Sequence, residues 1–190
     1  MATGNGLKLV GRLGGGEAHV SEYFVPASDS TALYVGDVVE KTNTMDTANR
    51  VPIITRAATG DIILGVIVGF RPDASLPFTG HYRAASTARY VLVCDDPDAI
   101  YEVQEDADGG AISAANVGES INVDMIVGTG SVYTGFSGTM ADSSSVAATA
   151  EDFKILGVVR QPDNAAAQSG GAKLLVKIVA PALNATDSDS

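Results

Sequence analysis

Apolar residues in this chain fall into short runs in which roughly every second position is hydrophobic, and turn-forming residues separate the runs. A period of two marks a pleated strand with one buried face. Read along the chain, it predicts strands at His19–Val25, Ala32–Lys41, Val51–Arg56, Ile62–Phe70, part of Tyr82–Cys94 and Ile100–Gln104. Further candidates are Ser120–Val127, Ser131–Phe136, Phe153–Arg160 and Lys173–Val179. Val, Ile, Tyr and Thr dominate these runs, as a half-buried pleated surface favours. Val35-Gly36-Asp37, Asp108-Gly109-Gly110, Gly128-Thr129-Gly130 and Ser169-Gly170-Gly171 supply turn signals. No stretch sustains a helical apolar period. Ala141–Ala150 has the alanines for one helical turn, but its Ser and Asp side chains compete for backbone hydrogen bonds and argue against a longer helix. The expectation is an all-β protein, a barrel or jelly-roll-like body of about ten short strands.

One phrase occurs twice. Ile63-Leu64-Gly65-Val66 returns as Ile155-Leu156-Gly157-Val158, and each copy runs on to a Pro-Asp pair, Pro72-Asp73 and Pro162-Asp163. A weaker echo surrounds them. Gly36-Asp37-Val38-Val39 precedes the first copy and Val123-Asp124-Met125-Ile126-Val127 the second. Tyr90-Val91-Leu92-Val93 and Leu174-Leu175-Val176-Lys177-Ile178 follow. Each half then reads as strand, loop, Ile-Leu-Gly-Val strand, loop, strand. The alternative is chance, since short apolar strings recur in any strand-rich chain. The glycine in each copy marks a bulge, a bend or a close backbone approach.

On this reading residues 18–181 are the β-rich body, with candidate halves 18–97 and 98–181. Residues 1–17 carry Gly4, Gly6, Gly11 and Gly14-Gly15-Gly16 around the alternating run Leu7-Lys8-Leu9-Val10. They read as an extended arm with one short strand. Residues 182–190 read as an acidic polar tail.

Composition narrows what such a body does. The chain has 190 residues, long enough for a core that needs neither disulfide nor metal. Hydrophobic residues make up 45% and charged ones only 18%. The surface is therefore rich in Ser, Thr, Asn, Gly and Ala, which desolvate cheaply and lose little side-chain entropy on assembly. Lys and Arg total 12 against 23 Asp and Glu, a net charge of −11. Phosphate backbones and anionic lipid repel such a chain, so neither nucleic acid nor a membrane is an expected partner. No apolar run approaches the roughly 18 residues that span a bilayer, and Met1–Gly16 lacks the apolar centre of a secretion signal, so secretion by that route is not expected. The single cysteine, Cys94, ends the strand-like run Tyr90-Val91-Leu92-Val93 and reads as a small buried hydrophobe rather than a reactive thiol.

A search for chemistry finds little. His19 and His81 are the only histidines, and no Gly-x-Ser-x-Gly elbow accompanies them; Gly135-Phe136-Ser137-Gly138 lacks the spacing. A Ser-His-Asp grouping assembled by the fold stays open, because triads are defined by geometry. Acidic pairs stand at Asp95-Asp96 and Glu105-Asp106, with Asp108 nearby. Asp106-Ala107-Asp108-Gly109-Gly110 begins like a calcium loop, but Gly110 occupies position five and Val117 the place of the bidentate Glu, so an acidic turn is the better reading. Phosphate-loop and zinc spacings are absent, and Trp is missing. No catalytic residue, metal ligand or cofactor is expected, and the chain does not read as an enzyme. A small hydrolase using carboxylates near Asp95-Asp96 is the least favoured alternative.

From about Tyr90 to Val179 the order of phrases resembles the capsid decoration, or cement, proteins of tailed bacteriophages. The matching pieces are Val91-Leu92-Val93 with Asp96-Pro97, then Tyr101-Glu102-Val103-Gln104-Glu105-Asp106, Gly130-Ser131 and Gly135-Phe136-Ser137. Asp142-Ser143-Ser144-Ser145-Val146-Ala147, Phe153-Lys154-Ile155-Leu156-Gly157-Val158, Asp163-Asn164 and Lys173-Leu174-Leu175-Val176-Lys177-Ile178 follow. Each is nonspecific alone; the order carries the resemblance, over about half the chain. It implies a β-rich virion protein on the outer capsid surface, made in the host cytoplasm, self-associating as a dimer or trimer and clamping the major capsid protein after shell expansion. Within that reading the arm residues Leu7, Lys8, Leu9, Val10, Arg12 and Leu13 are the candidate protein-binding set, adding a strand to a neighbour's sheet. The runner-up is an exposed β-module that binds a glycan or a host surface.

Overall fold

The computed structural model describes residues 4–75, 80–106, 108, 112, 122–149, 152–161, 164 and 171–179. Among them the protein is all-β, as the alternation predicts, with no helix. The strands of the first half are β1 (Lys8–Arg12), β2 (Val20–Val25), β3 (Leu33–Tyr34), β4 (Val38–Asp46), β5 (Val51–Arg56), β6 (Gly65–Phe70), β7 (Tyr82–Arg83) and β8 (Arg89–Cys94). Those of the second are β9 (Ala99–Gln104), β10 (Asn122–Val123), β11 (Met125–Ile126), β12 (Met140–Ala141), β13 (Phe153–Val158) and β14 (Lys173–Ile178).

Among the described residues fourteen strands form where about ten were expected. The run Ala32–Lys41 breaks at the Gly36 turn, and Ser120–Val127 breaks at Asp124. Tyr82–Cys94 yields the two strands β7 and β8. Ser131–Phe136 is corrected outright: residues 132–134 turn, and only Phe136 makes an isolated bridge, to Val35. Gly135 sits there at φ 74°, a left-handed conformation that interrupts a strand. The described part of Ala141–Ala150 forms turns and a bridge at Ala147, not a helix. The expected tail 182–190 lies outside the described residues.

Strands β2, β5, β4, β6 and β8 close into a barrel in that order. The β2–β5 contact is parallel, at Phe24 and Ile53; the others are antiparallel. The second half is an open sheet in the order β1-β9-β14-β13-β10, with β11 and β12 paired beside it. Its connections nevertheless repeat those of the barrel. β10 and β11 are separated only by Asp124 and act as one interrupted strand, pairing β13 and β12 antiparallel. Glu105, just past β9, bridges Ala141 of β12 in parallel. The order β9, β12, β11/β10, β13, β14 therefore matches β2, β5, β4, β6, β8, including the one parallel contact. Among the described residues that single bridge alone closes the second ring.

Two cores result, and three strands serve both. Tyr23, Val25, Val39, Ile54, Leu64, Ile67, Val91 and Val93 fill the barrel. Val38, Ile63, Val66 and Cys94 point the other way, into a core shared with Tyr101, Val103, Phe153, Ile155, Leu174 and Val176 of the second half. Successive residues Val38/Val39, Ile63/Leu64 and Val66/Ile67 thus enter opposite cores, as the strand pleat dictates. Each such side chain contributes about 1.5–3 kcal/mol of burial. Cys94 is one of them, buried as expected, and burial pushes its thiol pKa up.

The two Ile-Leu-Gly-Val copies play different parts. A Cβ on Gly65 would lie 2.1 Å from the Cys94 carbonyl oxygen, so β6 approaches β8 as only glycine allows. Gly157 has nothing within 4 Å of that position and lies at the β13–β14 bulge. Gly65→Ala is therefore expected to destabilise the protein by about 2 kcal/mol or more, whereas Gly157→Ala changes stability by less than about 1 kcal/mol. Urea titration of both variants checks the contrast, and equal effects would contradict it.

Candidate interaction surface

Most of the buried carboxylates among the described residues accept backbone amides. Asp37 is fully buried at the β3–β4 turn; its Oδ2 accepts the Tyr34 amide at 2.8 Å and its Oδ1 the Ser137 hydroxyl at 2.5 Å. Asp152 accepts the amides of Gly60, at 3.1 Å, and Met125, at 2.8 Å, and so ties a barrel loop to β11. Glu105 accepts the amides of Ala172 and Ile112. Burial pushes the carboxyls of Asp37 and Asp152 above the ordinary aspartate value, partly offset by these bonds.

Asp95 and Asp96, the sequence's candidate acids, form the joint between the halves. Asp95 accepts the Tyr23 hydroxyl at 2.8 Å and lies 2.7 Å from His19 Nδ1. Asp96 accepts the amides of His19 and Asp98 and the Arg12 Nε at 2.7 Å. Burial alone would raise the Asp96 carboxyl; the Asp98 and His19 amides and the Arg12 guanidinium outweigh it and hold it below the usual range. All four carboxylate oxygens thus have partners. Ser21 Oγ does stand 3.3 Å from His19, but at Nδ1, the nitrogen that already faces Asp95. A serine–histidine relay needs hydroxyl and carboxylate on opposite ring nitrogens, so these three do not form one.

Carboxylate oxygens of Asp106, Asp108 and Asp142 come within 4.8 Å of one another. Their visible work is local. Asp106 accepts the Ser143 amide and hydroxyl, and Asp142 accepts those of Ser144. Of the segment read from the sequence as an acidic turn, Asp106 and Asp108 are described, while Ala107, Gly109, Gly110 and Val117 lie outside the described residues.

The expected arm is not a free one. Lys8–Arg12 is the outermost strand of the molecule's own second sheet, paired antiparallel with β9 from Lys8–Glu102 to Arg12–Ala99. Leu7 is only 3% exposed and packs into the shared core, and its amide donates to the Gly36 carbonyl. Leu9 packs against the same core. Arg12 is held by Asp96 and Asp98. Lys8, Val10 and Leu13 remain exposed. The physical reason is the even spacing of Leu7 and Leu9, which gives the segment an apolar face that its own body can bury.

What the sequence missed is the loop that follows β11. Tyr133 at its tip is 93% exposed, with Val132 and Phe136 beside it also open to solvent. The base of the tip is held firmly. Gly135 N donates to Ser131 O, Val35 N to Gly135 O and Ser137 N to Val35 O. The Ser137 hydroxyl is bound by Asp37, and His81 Nε2 lies 2.8 Å from the Val132 carbonyl. Phe136 also lines a groove of about 570 Å³ with Leu9, Val35, Val68 and the Glu102–Lys173 ion pair. The signal was present in Ser131–Phe136, but as alternation it read as a strand.

Comparison with protein-family models, with curated proteins and with solved structures finds no match for this chain.

Two outcomes follow from this geometry. Deleting residues 1–16 removes Leu7 from the core and the Arg12–Asp96 pair, so it is expected to cost about 2–5 kcal/mol and lower the melting temperature. An unchanged melting curve would restore the free arm. Asp37 provides a pH signature. Its folded pKa lies above the ordinary 3.8, so the folded state holds the proton more tightly than the unfolded one. That contribution is complete below the ordinary value and fades as pH rises through the raised one. The stability of the wild type relative to Asp37→Asn should therefore fall as pH rises above the ordinary aspartate value of 3.8. A difference that is flat or rises, measured by urea titration at each pH, contradicts the buried-acid account.

Proposed function

We propose that this protein is a structural virion component that binds the outer surface of a phage capsid and stabilises contacts between major capsid protein subunits. The observation that carries the reading is the Val132–Tyr133–Phe136 projection: an apolar tip held by backbone bonds on a rigid all-β body. A large aromatic that gains nothing from its own fold is well suited to anchor an interface. The low fraction of charged residues keeps the surrounding rim cheap to desolvate. The phrase order over residues 90–179, which resembles cement proteins, supports the same reading. So does the chemistry of the acids, since the described carboxylates at Asp95 and Asp96 are spent on structure.

The mechanism is multivalent attachment. Contacts of about 1,200–2,000 Å² per interface, repeated by a dimer or trimer on neighbouring capsid subunits, yield high avidity from modest sites. Binding to the expanded shell alone stabilises that state by linkage.

Tyr133→Asp tests this directly, because the residue is exposed and its loss leaves the core intact. Occupancy on phage heads is expected to drop about tenfold or more, equivalent to at least about 1.4 kcal/mol per site, with the melting temperature unchanged. Heads that lose the protein should rupture at lower temperature or under milder osmotic shock. Identical rupture of stripped and decorated heads rejects the cementing role. Specific hits for the isolated protein on a glycan array, abolished by the same substitution, favour the glycan-binding module instead.

A further inference from the structure

We propose that the outer edge of β4, from Glu40 to Asp46, is a strand-addition site for an extended segment of a partner protein that alternates apolar and basic side chains.

β4 has two neighbours for only part of its length. β5 runs beside it from Val39 to Asp46, but β6 accompanies it only at Val38 and Val39. Beyond Val39 no described strand lies along the other side. What lies there is a cleft of about 860 Å³, walled by β4 on one side and by Gly60, Asp61 and Ile62 on the other. The open edge is about 20 Å long at the rise of an extended chain, room for a segment of ordinary strand length. Unpaired backbone groups on such an edge are a template for another strand.

The far wall is set in place before any partner arrives. The Asp61 carboxylate accepts the Ala58 amide at 2.7 Å, the Gly60 amide donates to Asp152, and the Thr59 hydroxyl donates to the Met125 carbonyl at 2.8 Å. A preformed groove spares the partner the cost of ordering it. The corresponding strand of the second half shows the contrast. On β11 the Met125 amide and carbonyl are taken up by Asp152 and Thr59, so side chains close that edge from within. Nothing among the described residues does the same beside Asn43 or Thr44.

Side chains define the partner. Met45, 53% exposed, and Ile62, 59% exposed, present apolar surface on the two walls. Glu40 and Asp61 line the same cleft, and burial and the Asp61 charge both raise the Glu40 carboxyl pKa. A cation between these acids would relieve their mutual repulsion, whereas an anionic segment would add to it. Lys41, which also lines the cleft, leaves the strand on the opposite side of the pleat from Glu40, so two acids face one base there. The bulge between Lys41 and Met45 blunts the edge against indiscriminate stacking, which leaves selection to these side chains. The chain's own 182–190 segment, with Asp187 and Asp189, has the wrong charge for this site.

The site stands apart from the capsid reading, because its test uses no phage head. A displayed library of nine-residue peptides, with apolar residues at alternate positions and random residues between, is selected against the full-length protein. Selected peptides are expected to carry Lys or Arg in clear excess over Asp and Glu. They should bind Met45→Asp and Ile62→Asp about tenfold or more weakly, although both variants melt like wild type, and should bind Glu40→Gln more weakly as well. Added salt should reduce binding. No enrichment, enrichment of acidic sequences, or binding that survives all three substitutions overturns the proposal. If an Asp variant fails to fold, Glu40→Gln and the salt dependence still decide it.

Discussion

Everything in this molecule leans on a wall of three strands whose shared stretch, residues 38–39, 65–67 and 93–94, is buried on both faces. β4, β6 and β8 send one residue into the barrel and the next into the core shared with the second half. A wall of that kind cannot slip in register, because a shift of one residue would exchange the two cores. It also has no room to spare. A close approach within it, Gly65 against the Cys94 carbonyl, falls where the first Ile-Leu-Gly-Val phrase pairs with β8. The second copy does lighter work, since β13 packs mainly toward one core and its glycine is a bulge.

The wall accounts for how the protein uses its acids. A chain with net charge −11 would ordinarily display its carboxylates in water. Here Asp37, Asp95, Asp96, Glu105 and Asp152 are all buried. Most accept backbone amides from loops that the Gly- and Ser-rich sequence would leave unsupported; Asp95 instead holds the Tyr23 hydroxyl and faces His19. Arg83, fully buried, does the converse. Its guanidinium donates to the carbonyls of Thr31, Pro26, Asp29 and Thr87 and pins two loops together. Charge spent in this way stiffens the framework and leaves a surface on which an exposed Tyr133 is conspicuous.

Strand edges are the second resource the fold distributes. β1 covers one edge of β9, and Asp152 with Thr59 covers that of β11. The edge of β4 beyond Val39 is left to the cleft. A fixed apolar tip and an accessible strand edge are the two features on which the proposed attachments rest.

The sequence by itself determined the class and most of the strands. Val51–Arg56 was read to the residue, and Phe153–Val158 and Lys173–Ile178 within a few, because alternation records which face of a strand is buried. It also recorded the Gly36 turn and the burial of Cys94. It did not reveal the free surface, since Ser131–Phe136 alternates like a strand and only the left-handed Gly135 turns it into a tip. Nor did it reveal that Leu7–Arg12 folds back on β9. An apolar strand face looks the same whether its own body or a neighbour buries it. Which acids would be interior was equally hidden, because a carboxylate's burial depends on distant amides such as Gly60 for Asp152 and Ala172 for Glu105. Local periodicity fixes local conformation; pairing, exposure and the roles of charge are set by contacts between residues far apart in the chain, and only the tertiary structure decides those.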